Sequence, residues 1–374
     1  MRSGLDIYID VPYISGTVCL LTNAASLARD GRTCYQALRD SGMDIVSVFA
    51  PEFGYYGIGA PREVIPDDQR EFLPVHRLDG EYTRPAPDFL RSISALVIDL
   101  QDVGTRFHPF VNTLYQVMVA CAECGTSITI LDRPNPLTGV VVEGPLSAPE
   151  YLPSVLPAEM PIRHGLTIGE MARWMNDVIN ADLNVVALEG WKRDTHYADT
   201  GLLWTSPAPD LPHLDTALLF PGTSLLPCFS LSVGYGTQLP YQQIGAPYIN
   251  ADELTAAMNG LYLEGVNFTP AWFRPQTGNF AGQPCEGVRV HVTDFLQVRS
   301  FELGLYLFEK VRELYPDNLN WTSDDSPAMF DMLVGTARIR EELEAGREAE
   351  RILSDCRLEA SDFQSDTVTY WLYE

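Results

Sequence analysis

Short apolar runs alternate with segments of helical periodicity through the first half of the chain. The runs lie at Val18–Leu21, Ile45–Phe49, Ala95–Ile98, Ile128–Leu131 and Leu183–Leu188. Continuous apolar runs of this length are typical of parallel strands that are buried on both faces. Strands that alternate with helices predict an α/β fold with a doubly wound, mostly parallel sheet.

Three helices are predicted in this half of the chain, two of them with end signals as well as periodicity. Between Ala95–Ile98 and Ile128–Leu131, apolar residues recur at helical spacing, with Asn112 placed to cap the amino end and Gly125 placed to end the helix. Thr167 and Glu170 have capping-box spacing and predict a second helix start. A third helical segment lies around Thr33–Ser41.

The pattern is less regular elsewhere and changes near the middle of the chain. Gly57–Pro87 is rich in Pro, Asp and Arg with little periodicity, so we expect a long loop. Phe229–Leu231 predicts a short strand that ends in the turn SVGYGT. From about Ala246 the pattern becomes mixed α and β, which predicts a domain over residues 1–245 and a second, smaller α+β domain over residues 246–374.

Polar residues follow the predicted strands at their carboxyl ends. Because parallel strands end at the same edge of a sheet, and because ligands of doubly wound sheets bind at that edge, these residues are candidates for a site. They are Asn23, Glu52, Asp99, Gln101, Asp102, Arg106, Asp132, Arg133, Asn135 and Glu143. For any single Asp–Arg pair, a purely structural role that joins two loops is as good an explanation as a role in a site. His164, just before a predicted helix, is either a structural cap or a ligand contact.

Charge and composition exclude several function classes. The 374 residues include 25 Lys and Arg against 50 Asp and Glu, and the net charge of −25 opposes binding to nucleic acid or to anionic membranes. No segment approaches the length of a membrane span, and the first residues lack the features of a signal peptide. Seven widely spread cysteines fit reduced thiols, so we expect a cytoplasmic protein.

No sequence motif indicates a cofactor. Motifs for phosphate loops, nucleophile elbows and zinc sites do not occur, so no cofactor is expected. We also expect no required metal, because Arg106 and Arg133 follow the same strands as the aspartates and can neutralise them directly. The oligomeric state is left open.

Several motifs together resemble the peptidoglycan exo-β-N-acetylmuramidase family, long catalogued as a domain of unknown function. The resemblance covers essentially the whole chain and is strongest in DLQDVGTRF and LDRPNPLTG. The other matching motifs, in chain order around these two, are LLTN, FAPEFG, VEGP, RHGLTIGE, GWKR, SVGYGT, PYQQIGAPY and FDMLVGT.

The resemblance implies a Rossmann-like domain, a smaller domain against it, and a cleft in which a terminal N-acetylmuramic acid is released from glycan fragments. It also implies that Glu52 is the catalytic acid. Glycoside cleavage needs such an acid and a second group on the other face of the sugar, for which Asp102, Asp99 and Asp132 are available. The rings of Phe53, Tyr55 and Tyr56 next to Glu52 predict a low-polarity setting that favours its protonated form.

Departures from the family pattern predict a reshaped pocket. Phe53 stands where the family usually has His, and Tyr56 stands where an Arg is usual. Val233 and Tyr235 replace the Glu and Arg of the family turn, and RFHPF replaces the usual RFYTY. An Arg would hold the lactyl carboxylate of muramic acid in a bidentate pair, so two lost Arg positions, now Tyr56 and Tyr235, argue for a different sugar.

The sequence therefore predicts a glycosidase that acts on a small carbohydrate substrate, with other functions still open. One alternative is a carbohydrate-acting enzyme of a biosynthetic pathway with altered sugar specificity. Another is a non-catalytic module that binds a sugar or a partner, although the retained carboxylates count against it. A third is a metal-assisted hydrolase that uses carboxylates at the strand ends.

Overall fold

The fold is taken from a computed structural model that describes residues 1–59, 64–67, 71–80, 82–151 and 159–374. A seven-stranded sheet forms the first part of the chain, in the order β3-β4-β2-β1-β5-β6-β7. Its strands are β1 (Thr17–Thr22), β2 (Asp44–Ala50), β3 (Val64–Asp67), β4 (Glu71–Arg77), β5 (Ala95–Asp99), β6 (Ser127–Leu131) and β7 (Leu183–Val186).

All neighbouring strands of this sheet are parallel except β3, which pairs with β4 in the antiparallel sense. The five predicted apolar runs are β1, β2, β5, β6 and β7, so the α/β prediction is confirmed. The chain passes from β1 to β2 on one side and later continues at β5 on the other side of β1. This change of direction creates a switch point between the carboxyl ends of β1 and β5, where such sheets bind ligands.

Helices cover both faces of the sheet. They are α1 (Gly4–Tyr8), α2 (Cys34–Asp40), α3 (Pro87–Ser92), α4 (Pro109–Cys124) and α5 (Ile168–Ile179). One apolar core contains residues of α3, α4 and α5 on one face, and another contains residues of α1 and α2 on the opposite face. The capping box at Thr167 and Glu170 is present and confirms the predicted start of α5.

Two predictions of local structure are wrong in this part. α4 begins at Pro109 after the cap residue His108, rather than after Asn112, because proline has the φ angle and the missing N–H that suit a first helical position. Gly125 does end α4, in a left-handed conformation with φ 69°. The segment Gly57–Pro87 is not a loop throughout, since its described residues include β3 and β4, which extend the sheet. Residues 60–63, 68–70 and 81 of that prediction lie outside the described residues.

A three-stranded antiparallel sheet in the order β8-β10-β9 organises the second part of the chain. The strands are β8 (Gln243–Ala246), β9 (Val266–Phe273) and β10 (Cys285–Val292). The helices are α6 (Leu214–Thr223), α7 (Ala251–Asn259), α8 (Ser300–Leu314), α9 (Ser326–Val334), α10 (Arg338–Glu344) and α11 (Ala349–Thr367). The predicted second α+β region is thus present, while the exact boundary near residue 245 stays a prediction.

The predicted strand at Phe229–Leu231 is wrong. Phe229 makes only an isolated bridge to Trp321, on which its ring stacks with centroids 4.4 Å apart. The Asn279 side-chain nitrogen donates to the carbonyl oxygens of Pro227, Phe229 and Leu231, each at 2.8 Å. The Asn279 side chain therefore forms hydrogen bonds with carbonyl groups that would accept from a neighbouring strand if this segment were a strand.

The two parts of the chain share one core. The largest apolar cluster contains residues of α6 to α11 and also Val103 and Leu137, from the segments that follow β5 and β6. The carboxyl edge of the parallel sheet therefore faces the second part of the chain. Within the described residues, no helix combines the length and the hydrophobicity needed to cross a membrane.

Candidate active site

The carboxyl edge of the parallel sheet carries most of the residues that the sequence singled out. Asn23 follows β1, Glu52 follows β2, Asp99 ends β5 with Asp102 just beyond it, and Asp132 follows β6. From the other part of the chain, Tyr235 packs against the same apolar cluster as Phe53, the neighbour of Glu52. The residues that follow the strands thus lie at one edge of the sheet, but the structure gives them very different surroundings.

Asp99 forms a buried ion pair with Arg133. The Arg133 Nη2 donates to Asp99 Oδ2 at 2.9 Å, its Nε donates to Oδ1, and both side chains are buried. Burial acts to lower the pKa of Arg133, but the adjacent Asp99 carboxylate raises it well above its usual range. A paired guanidinium of this kind holds its carboxylate in one geometry. The prediction of a catalytic Asp99 is therefore corrected: this pair joins the ends of β5 and β6.

Asp102 is a buried carboxylate between two buried histidines. Its Oδ2 accepts a hydrogen bond from the Gly104 N–H at 2.7 Å and lies 3.3 Å from His164 Nε2, while Oδ1 lies 3.7 Å from His108 Nδ1. Burial would raise the pKa of Asp102, but His108 and His164 hold it well below the usual range. Because His164 Nδ1 accepts the Leu166 N–H at 3.1 Å, its proton lies on Nε2 and faces Asp102.

This arrangement changes the interpretation of both residues. Of the two predicted roles for His164, the geometry supports a structural one, since both ring nitrogens face protein groups. An ionised, buried Asp102 is suited to orient its neighbours and not to deliver a proton. His108 was missed, because a lone histidine before Pro109 carries no signal in the sequence that separates it from a solvated cap.

Asp132 is fully enclosed by hydrogen-bond donors. Its oxygens accept from the N–H groups of Arg133 at 2.9 Å and Gly169 at 2.7 Å, and from the hydroxyls of Thr167 at 2.8 Å and Tyr373 at 2.5 Å. Gly169 lies in the first turn of α5, where a carboxylate stabilises the helix. Burial raises the pKa of Asp132 to about 7. Direct substrate contact would break these bonds, so the predicted substrate-binding role is replaced by a structural one.

Gln101 and Asn135 are also engaged with the protein. The Gln101 side-chain nitrogen donates to the carbonyl oxygens of Asp102 at 2.9 Å and Pro134 at 3.0 Å. Asn135 donates to Leu166 O at 2.9 Å and accepts from the Leu137 N–H at 2.8 Å. Both side chains are buried, and both shape the loops after β5 and β6 instead of facing a ligand.

Glu143 and Arg106 connect the two parts of the chain. Glu143 pairs with Arg163 at 2.8 Å and accepts the N–H groups of Ser300 at 3.2 Å and Phe301 at 3.1 Å, at the start of α8. Arg106 donates to Leu333 O at 2.7 Å in the last turn of α9, and burial lowers its pKa to about 9. Each charge complements a helix end. Their predicted contact with substrate is corrected to a connecting role.

Glu52 lies outside the polar interior. Gly54 N–H donates to Pro51 O at 2.9 Å in a tight turn, and Phe53 adopts a positive φ of 72°. The turn directs Phe53 toward the shared core and buries Tyr55, which leaves Glu52 exposed. The predicted low-polarity setting of Glu52 is therefore wrong. Glu52 makes no hydrogen bond or ion pair with the described part of the chain, so it is free to contact a ligand.

Three further candidates lie on separate segments: Asn23 follows β1, Tyr56 follows β2, and Tyr235 lies in the turn before β8. Asn23 Oδ1 accepts the Ala25 N–H at 3.2 Å, beside the switch point. Tyr56 is 45% exposed, and its hydroxyl donates to Val64 O at 3.2 Å. Tyr235 is half-buried, with its hydroxyl oxygen 3.4 Å from that of Tyr241. These polar groups can bind hydroxyl and amide groups of a sugar.

Asp210 is a further residue that the sequence analysis missed. It is half-buried, and burial raises its pKa. The only signal in the sequence is its place between prolines in PAPDLP, which fixes a backbone but does not predict a function. Among the residues described, no group of three or more His, Cys, Asp or Glu side chains is placed to hold a metal ion.

A two-domain α/β protein with an exposed carboxylate at the carboxyl edge of its parallel sheet has the features of a carbohydrate-acting hydrolase. Family models described as exo-β-N-acetylmuramidase NamZ, N-terminal and C-terminal, match residues 18–215 and 218–373. The chain therefore belongs to the exo-β-N-acetylmuramidase NamZ family, a family of glycosidases.

Individual relatives agree with this membership. The chain is 34% identical to the peptidoglycan β-N-acetylmuramidase NamZ of Bacillus subtilis over 359 residues, which cover 95% of this chain and 86% of that protein. A DUF1343 family protein from Bacteroides fragilis has a crystal structure with a TM-score of 0.91 and 29% identity, covering 100% of this chain and 99% of that one. A second from the same organism has a TM-score of 0.75 and 25% identity, with the same coverage.

Proposed function

We propose that the protein is an exo-acting glycosidase that releases terminal N-acetylmuramic acid from peptidoglycan fragments. Family membership over nearly the whole chain supports this, as does the name of the B. subtilis relative. The observation that carries the proposal is Glu52, an exposed carboxylate at the carboxyl end of β2 that has no partner within the described ranges of the chain. A site for a sugar needs such a group and the space around it.

In this proposal, Glu52 is the general acid. It donates its proton to the glycosidic oxygen as the bond from that oxygen to the anomeric carbon breaks, and water supplies the new hydroxyl group. Asn23, Tyr56 and Tyr235 bind the sugar. Asp102 acts indirectly, because its buried charge fixes Gly104 and the two histidines beneath the switch point.

The test compares Glu52→Gln with the unmodified protein on a disaccharide whose terminal sugar is N-acetylmuramic acid, because a sugar leaving group has to be protonated as the bond breaks. Glutamine keeps the shape but cannot deliver a proton, so kcat should fall by about 10²–10⁴-fold while substrate binding persists. Glu264→Gln is the matched control, since Glu264 is also exposed and has no partner among the described residues. An active Glu52→Gln variant would show that the assignment of the acid is wrong.

A second candidate function is cleavage of an amino sugar that lacks the lactyl carboxylate. The neutral hydroxyls of Tyr56 and Tyr235 favour it, because a tyrosine cannot form the bidentate pair with a carboxylate that an arginine forms. The same assay with the N-acetylglucosamine glycoside separates the two functions. A higher kcat/KM on that substrate would support the second.

A cytoplasmic location also belongs to this proposal. All seven cysteines are free, and most are buried, which fits a reducing compartment. Fractionation of cells that produce the protein from its own gene, with a periplasmic marker as the control, tests this. Recovery with the marker would contradict it.

A further inference from the structure

Asp210 is a half-buried carboxylate in the segment that precedes α6. It makes no hydrogen bond and no ion pair with any residue that the structure describes. A carboxylate removed partly from water without a compensating donor costs free energy. Such a group therefore calls for an explanation, and a role in binding or catalysis is one.

The segment that carries Asp210 lies against the turn that carries Glu52. A Cβ atom placed on Gly57 would lie 4.0 Å from the carbonyl oxygen of Pro207. Phe53 packs against the apolar cluster that contains Ala208 and Leu211, which flank Asp210 in the chain. Glu52 and Asp210 therefore belong to two segments that meet at the carboxyl edge of the sheet.

Two tyrosines lie near Asp210, and one of them has a strained backbone. The Tyr241 hydroxyl donates toward the Tyr235 hydroxyl at 3.4 Å, and the two rings pack edge to face with centroids 5.4 Å apart. Burial raises the pKa of both hydroxyls, and the charge of Asp210 contributes to each increase. Tyr241 has a positive φ of 63°, which is strained for a bulky residue. Strain of this kind clusters at functional sites.

The carboxylates of the other acidic candidates already bind groups of the protein. Arg133 holds Asp99, two histidines and the Gly104 N–H surround Asp102, and four donors enclose Asp132. A glycosidase that follows the usual pattern needs two carboxyl groups on opposite sides of the scissile bond. Glu52 supplies one of them in the proposed function, and Asp210 is available as the other.

We propose that Asp210 is the second catalytic carboxylate and acts as the general base; this inference rests on the glycosidase function proposed above. Asp210 accepts a proton from a water molecule while the water oxygen bonds to the anomeric carbon. Glu52 gives its proton to the leaving oxygen, and the carbon–oxygen bond to the leaving group breaks. Glu52 then regains a proton from solvent and Asp210 loses one to it, so the cycle is balanced.

The base role follows from the setting of Asp210. Asp210 is only half-buried, so a water molecule can lie between its carboxylate and the sugar, as the activation of water requires. Burial also raises the pKa of Asp210, which makes it a better base. Activation of water on the face opposite the leaving group inverts the configuration at the anomeric carbon. The proposal therefore predicts the stereochemical outcome as well as the residue.

The test uses the full-length protein with Asp210→Asn and Asp210→Ala, on the nitrophenyl glycoside that the unmodified protein cleaves best. We expect kcat to fall by about 10²–10⁴-fold with a small change in KM. Azide should restore turnover to Asp210→Ala by attacking the anomeric carbon without a base. Asp194→Asn is the control, because Asp194 is exposed and equally without a partner among the described residues.

The outcomes separate this inference from the proposed function. If the unmodified protein cleaves and Glu52→Gln does not, but Asp210→Asn is fully active, the role of Asp210 is wrong while the glycosidase function stands. First-formed product with retained configuration, seen by proton NMR, would also overturn the base role. If the unmodified protein cleaves no amino-sugar glycoside, both proposals are wrong. Thermal unfolding of each variant checks that a loss of turnover is not a loss of fold.

Discussion

Arg133 holds Asp99 through both carboxylate oxygens in the interior of the protein, with Nη2 2.9 Å from Oδ2 and with Asp99 fully inaccessible to solvent. The two residues follow neighbouring parallel strands, so the pair fixes how the loops after β5 and β6 leave the sheet. It explains why an aspartate at a favourable position for catalysis is not available for it.

Replacing one partner of this pair should destabilise the protein strongly. Arg133→Met leaves the Asp99 charge buried and unpaired, and we expect the free energy of unfolding to fall by about 3–5 kcal/mol. Urea denaturation followed by circular dichroism measures the change. The double variant Asp99→Leu with Arg133→Met should lose less, since no charge remains. A single variant as stable as the unmodified protein would contradict the structural role.

The stability should depend on the protonation of Asp132. Folding raises its pKa to about 7, from an unfolded value of about 3.9, so the neutral carboxyl is the form that folding favours. This contribution is complete below about pH 4 and is lost as the pH rises through about 7, on the order of a few kcal/mol. Asp132→Asn does not titrate, so its stability relative to the unmodified protein should improve over that range. A pH-independent difference between the two would contradict this.

The contact of Glu143 with the start of α8 should control how firmly the two parts of the chain are joined. Glu143→Ala leaves Arg163 unpaired and frees the N–H groups of Ser300 and Phe301, and we expect a loss of about 3–5 kcal/mol. Hydrogen exchange at these two amides should become faster. Glu313→Ala, which removes an exposed pair with Lys310, is the control and should cost at most about 1 kcal/mol. Equal effects of the two variants would refute the connecting role.

Sugar preference should respond to position 56. Tyr56 is 45% exposed and is not part of a buried core, so Tyr56→Arg can be made without disturbing one. A guanidinium there could pair with the lactyl carboxylate, and we expect the ratio of kcat/KM for the muramic acid glycoside over the N-acetylglucosamine glycoside to rise by about 10-fold. Tyr56→Gln is the neutral control. Tyr235→Arg extends the test, although its half-buried ring makes a cost in stability part of the expected result. If the ratio is unchanged in both Arg variants, the loss of arginine at these positions does not explain the sugar preference.

Local signals predicted local structure well. Each of the five apolar runs is a strand, Gly125 ends α4, and Thr167 and Glu170 form the expected capping box. These features depend on residues within a few positions of one another. The predicted strand at Phe229–Leu231 failed because a distant side chain decided the outcome, since Asn279 donates to the carbonyl groups there.

The sequence by itself determined which residues stand at the carboxyl ends of the strands, because strand positions follow from the apolar pattern and all parallel strands end at one edge. Only the tertiary structure decided which of them are free. Asp132 is enclosed by Tyr373, 241 residues away in the chain, and Asp99 meets Arg133 only because β5 lies beside β6. Glu52 and Asp210 have no partner among the described residues, because none of those residues brings a donor to them. Desolvation and pairing depend on neighbours in space, and a pattern along the chain does not contain that information.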